Sequence, residues 1–223
     1  MIPQLLYRGD GDAQNERSLR IVYPGSAYGG LLTNLSNGGS GRDIFSSPFI
    51  STVNHHVDEG WAKTHYLSFS EYRARAMTFA SGKSGKNLKP VERGGSWDAA
   101  LITLDTGRFT KCEELEIGVY RCLYPRKPIS ASQLSIPELI MRSFDNAKLV
   151  GQPVEILLID VASFLCAQVE KTKEDLSTAI ANAKRDAEWL VLPTGYAVEI
   201  PGEFTSKLDD GCILGFECFR FLS

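Results

Sequence analysis

The chain has no Cys-x-x-C pair, and its five cysteines (Cys112, Cys122, Cys166, Cys212 and Cys218) are odd in number. That argues against a disulfide frame or a zinc site and for reduced thiols. It has no apolar run of about 18 residues, so no segment reads as a membrane span. Its first residues, Met1 to Arg8, carry neither a basic leader nor a signal-length apolar stretch. The expectation is therefore a cytoplasmic protein, with signal-independent export into a target cell left open. Positive charge is not in excess: the formal net charge is −3, so a nucleic acid or an anionic membrane would have to be met by a local basic patch. His55, His56 and His65 stand without cysteines or acidic clusters at ligand spacing, and no metal is expected. Gly82-Lys83-Ser84 lacks the upstream glycine of a phosphate loop, since Met77 holds that place, and no strand leads directly into it.

What is present is an ordinary globular composition, 43% hydrophobic and 23% charged, in 223 residues, enough to bury one sizeable core. No repeat or clear linker divides it, so one domain is expected over 1–223. The pattern predicts a first strand at Leu5–Asp10, a loop-dominated stretch over 24–48, and a strand at Phe49–Val53. A strand at Thr64–Ser70 runs into a helix over 71–80. Further strands are expected at 97–105, 116–123 and 154–160, with a helix from 136 to about 147. A third helix carries Leu176, Ala179, Ile180 and Ala183 on one face. Strands at 190–192, 196–200 and 212–221 close the chain, the last two as antiparallel partners. Strands mixed with few helices make the fold class α+β.

Three stretches bear chemistry. Arg8 ends the first strand, where a guanidinium can grip a phosphate or carboxylate with two parallel hydrogen bonds. Ser68 and Ser70 alternate with Leu67 and Phe69, giving a strand whose hydroxyls need partners if it is buried. Asp186-Ala187-Glu188 carries two carboxylates two residues apart, running into Trp189-Leu190-Val191-Leu192. If residues 186–190 are extended, both carboxylates share a face and suit a site that stabilises a developing cation. A lysine-bearing loop at 83–93 could touch a phosphate backbone.

Taken together, Leu6-Tyr7-Arg8, Tyr66-Leu67-Ser68-Phe69-Ser70 and Asp186-Ala187-Glu188 occur in the order and local context of a known pattern. The chain resembles the mono-ADP-ribosyltransferases of the cholera-toxin-like, Arg–Ser–Glu type. About 15 residues carry the likeness. It implies two packed antiparallel-rich sheets forming an NAD cleft, with flanking helices. By the resemblance, Glu188 is catalytic, Ser68 braces the site, and Asp186 acts on the incoming nucleophile. Arg8, with Tyr7, Gly9, Ser68, Phe69 and Ser70, borders NAD. The activity implied is cleavage of the nicotinamide–ribose bond and transfer of ADP-ribose to a protein side chain or a nucleic acid. The protein would be a bacterial or phage-related toxin or effector, with an antitoxin or immunity protein as a further partner. An NAD glycohydrolase, or a binding module that keeps the fold without the chemistry, are the alternatives. The sequence departs from the pattern in three ways. Phe69 stands where threonine is usual, and Asp186 stands where Glu or Gln is usual. The interval from Ser68 to Glu188 is long, which points to an insertion near 110–165. Phe49-Ile50-Ser51-Thr52 is a rival match, which leaves Ser51 as the other candidate for the site serine.

Overall fold

A computed structural model describes residues 1–10, 21–22, 30–32, 53, 56–57, 66–81, 96–125, 142–143, 154–193, 197–200, 203–209 and 213–222. The strands are β1 (Leu5–Asp10), β2 (Ile21–Val22), β3 (Gly30–Leu32), β4 (Leu67–Ser70), β5 (Ser96–Asp105), β6 (Lys111–Glu116), β7 (Val119–Tyr124), β8 (Arg142–Ser143), β9 (Val154–Asp160), β10 (Glu188–Pro193), β11 (Ala197–Ile200), β12 (Glu203–Asp209) and β13 (Ile213–Leu222). The helices are α1 (Arg73–Ala80), α2 (Val161–Thr172) and α3 (Ser177–Asp186). An eight-stranded sheet runs β13-β5-β1-β4-β10-β9-β7-β6, and a five-stranded sheet runs β2-β3-β12-β11-β8. Every pairing is antiparallel. The fold is α+β.

The large sheet buries both faces. On one, Leu6, Phe69, Ile102, Cys122, Leu158, Trp189 and Val191 form a core cluster. On the other, Val119, Ile159, Leu190 and Leu192 meet Val161, Phe164 and Leu165 of α2 and Ala179 and Ala183 of α3. Period-two alternation sorts these side chains: in β10, Trp189 and Val191 go to one cluster, Leu190 and Leu192 to the other. Burying a side chain of this size contributes about 1.5–3 kcal/mol.

Several expectations change. Asp160 caps α2 by accepting from Ser163 N (3.1 Å), and Val161, Phe164, Leu165 and Gln168 line its buried side. This i, i+3, i+4, i+7 spacing is legible in the sequence but lies hidden behind the apolar run of β9. Arg142 and Ser143 belong to strand β8, beside β11, where a helix is expected. Val53 is helical, not extended. The closing strands do not pair with each other: β11 pairs with β12 and β8, and β13 with β5 in the other sheet. The intervening β12 takes the partner's place. Within the span read as an insertion, β6, β7 and β9 are strands of the main sheet. Ser51, His55, His65 and the lysine-bearing loop lie outside the described residues.

Candidate functional site

β1, β4 and β10 are neighbours in the large sheet, so the three chemistry-bearing stretches lie side by side. Their register sets Tyr7 opposite Ser70, and Ser70 opposite Glu188. The ladder between β1 and β4 is the single pair Tyr7–Ser70. Beyond it, the Arg8 guanidinium donates to the Ser68 carbonyl at 3.1 Å. A side chain thus serves a backbone acceptor where the two strands stop pairing.

Glu188 is anchored from several sides. α3 ends at Asp186, and Ala187 adopts a left-handed conformation (φ 43°, ψ 54°) that turns the chain from helix into strand. A non-glycine residue there costs roughly 1–2 kcal/mol. The turn is clamped by β4 and the residue after it. Ser70 Oγ donates to the Asp186 carbonyl (2.7 Å) and accepts from Tyr72 N (3.0 Å). Glu71 N donates to the Ala187 carbonyl (3.1 Å), and Trp189 Nε1 donates to Glu71 Oε1 (2.8 Å). Ser70 is therefore spent on holding the turn, and Ser68 is the serine whose side chain, by hydrogen bonding, draws the Glu188 pKa down.

Protein atoms crowd the Glu188 carboxyl while part of the residue still reaches solvent. Its pKa is pushed up to about 7, chiefly by removal from water; the Asp186 charge adds to the rise, and the Ser68 hydrogen bond and the Arg185 guanidinium oppose it.

Sequence reasoning missed one neighbour. His56 is buried, and its Nε2 lies 2.7 Å from Ser68 Oγ, with its ring edge-on to Tyr66. A serine hydroxyl has one proton to give. When Ser68 donates it to ionised Glu188, Ser68 Oγ accepts from His56, so Nε2 carries a hydrogen. No spacing in the sequence signals this contact: His56 stands between the expected strands with no ligand pattern around it.

Neither the comparison with protein-family models nor that with curated proteins returns a match.

Other expected site residues take different positions. Asp186 is the last residue of α3, so the extended geometry that would put it on the same face as Glu188 does not form. Its Oδ1 meets Arg75 (2.7 Å) and Arg185 Nε (2.8 Å), and its Oδ2 accepts from Arg185 NH2 (2.9 Å). The two guanidiniums neutralise an acidic group that would otherwise oppose the helix dipole at a C-terminus. Phe69 is a core residue, 3% exposed, beside Leu67 and Trp189. Gly9 packs against α1: a Cβ there would lie 1.8 Å from the Ala76 carbonyl oxygen of that helix. Tyr7 is half-buried in β1. Among the described residues, no group of three or more His, Cys, Asp or Glu side chains is placed to hold a metal ion. No described helix is long and apolar enough to cross a membrane.

Proposed function

We propose that the protein is a mono-ADP-ribosyltransferase that cleaves NAD at the nicotinamide–ribose bond and transfers ADP-ribose to a macromolecular acceptor. The observation that carries this reading is the meeting of three residues distant in sequence: the Arg8 guanidinium donates to the Ser68 carbonyl, and the Ser68 side chain lies close enough to Glu188 to lower its pKa. Cleavage of that bond builds positive charge on the ribose ring, and a fixed carboxylate stabilises the charge as it grows. Glu188, crowded by protein, acts in a medium where such an interaction is stronger than in water. Ser68, backed by His56, keeps the carboxylate in one orientation. Arg8 supplies a permanent cation for the pyrophosphate. Asp186 acts through its charge, which raises the pKa of Glu188.

Only ionised Glu188 can stabilise a cation, so its pKa of about 7 has a direct consequence. The value of kcat/KM for NAD cleavage should rise with pH along a limb centred near 7 and fall about tenfold per pH unit well below it. A profile flat from pH 5 to 8 would remove Glu188 from the rate-determining chemistry. Arg8→Ala should weaken NAD binding by about tenfold or more, the loss of one charge-assisted contact. Calorimetry giving an unchanged Kd would take Arg8 out of the binding site.

Incubation with labelled NAD and a mixed lysate, followed by separate protease and nuclease digestion, tests the activity. Label released by one digestion identifies the acceptor class. Free ADP-ribose alone indicates water as the acceptor, and intact NAD overturns the proposal.

A further inference from the structure

Outside this site, two thiols face each other. Cys112 on β6 and Cys122 on β7 are direct cross-strand partners, with Sγ atoms 2.7 Å apart. They differ in access. Cys112 is exposed, as is every other residue of β6, the edge strand of the large sheet. Cys122 is wholly buried in the core cluster with Tyr124, Ile156 and Leu158. A buried cysteine by itself is an ordinary small apolar side chain. A buried cysteine in contact with an exposed thiol directly opposite has a reaction partner.

We infer that Cys112 and Cys122 form a reversible oxidation site, in which a peroxide converts the pair to an intramolecular disulfide. The Cys112 thiolate attacks the peroxide; the O–O bond breaks, an S–O bond forms, and the departing oxygen leaves as water after taking a proton. The Cys122 sulfur then attacks the Cys112 sulfenic acid. The S–S bond forms, the S–O bond breaks, and the Cys122 proton leaves with the hydroxyl as a second water. Two thiols are oxidised by two electrons and one peroxide is reduced to two waters. Access decides the order: the oxidant reaches Cys112 first, and Cys122 resolves it. Burial and the neighbouring Cys112 raise the Cys122 pKa, which keeps Cys122 protonated and leaves Cys112 as the thiol that meets the peroxide first.

The backbone is already set for the bond. Directly opposed residues of an antiparallel pair have Cα atoms about 4.5–5.5 Å apart, inside the range of about 4.4–6.8 Å that a disulfide spans. The register is also pinned. Gly118, in the turn between β6 and β7, has φ 78°, and its carbonyl accepts from Asp160 N at 2.8 Å. A Cβ on Gly118 would meet Phe164 N at 2.7 Å, so the turn sits tightly under α2. A one-residue slip would send the two sulfurs to opposite faces.

The test treats the full native chain with hydrogen peroxide, blocks the remaining thiols by alkylation, and maps peptides by mass spectrometry. The expected product is a Cys112–Cys122 linked peptide that dithiothreitol reverses, with an unfolding midpoint raised by a few degrees. In Cys122→Ser, dimedone should trap a sulfenic acid on Cys112. In Cys112→Ser, an exposed change that leaves the core intact, Cys122 should stay reduced. Accumulation of sulfinic acid on Cys112 of the wild-type chain, or oxidation only to Cys112-linked dimers, would overturn the inference. So would a Cys122 that oxidises as fast without Cys112. The wild-type map and Cys112→Ser suffice should Cys122→Ser fail to fold.

Discussion

Glu188→Gln is expected to lower NAD cleavage by about 10²–10³-fold, the usual cost of removing one preorganised group that stabilises transition-state charge. The same substitution is expected to raise stability above pH 7. In the folded protein the Glu188 pKa is about 7, against an ordinary value of 4.5. The folded chain therefore binds this proton more tightly than the unfolded chain does. The associated stability is fully present below pH 4.5, falls as pH rises toward 7, and is gone above it. The loss amounts to roughly 3 kcal/mol as an upper figure, since solvent still reaches the residue. Glutamine keeps the shape without the charge, so thermal unfolding of the variant should depend less on pH between 5 and 8, with an equal or higher Tm at pH 8. An inactive variant that is stabilised at pH 8 has lost chemistry and not its fold, a stability–activity trade-off. Activity within tenfold of wild type would sink the assignment of Glu188.

The second large effect falls on the fold. Gly9→Ala places a Cβ 1.8 Å from Ala76 O, 2.7 Å from Ala80 N and 2.8 Å from Ala76 C. These are backbone atoms of α1, so no side-chain rotation relieves the clash and the helix has to move off β1. The expected loss is about 3 kcal/mol or more, at the top of the range for overpacking. Urea denaturation reads it directly, and a loss under about 1 kcal/mol would show that α1 does not rest on β1 so closely. Arg8 precedes Gly9, so a shift here also moves the guanidinium that holds Ser68.

Much of the site's position was legible in the sequence because its pieces sit on regular elements. Ser68 and Ser70 alternate with Leu67 and Phe69 as the period-two pattern predicts, the latter two in one core cluster, and β9 coincides with its expected bounds, Val154–Asp160. Propensity fails where the competing signal is tertiary. The resemblance puts Gly9 and Phe69 beside the cofactor, and only the structure shows that α1 packs against Gly9 and that Phe69 lies in the core with Trp189. Asp186 has a helical sequence behind it and a strand ahead, and only the left-handed Ala187 settles which side it joins.

By itself, the sequence determined the α+β class and the Arg, Ser and Glu candidates on their strands. These follow from local periodicity and residue chemistry, which a linear chain displays. Only the tertiary structure decided what those residues touch. It separated Ser68, which meets Glu188 and His56, from Ser70, which holds the turn. It engaged both oxygens of Asp186 with two arginines and set Cys112 against Cys122. Strand order and register arise from the whole set of packing and hydrogen-bonding demands at once, and no single stretch carries that information.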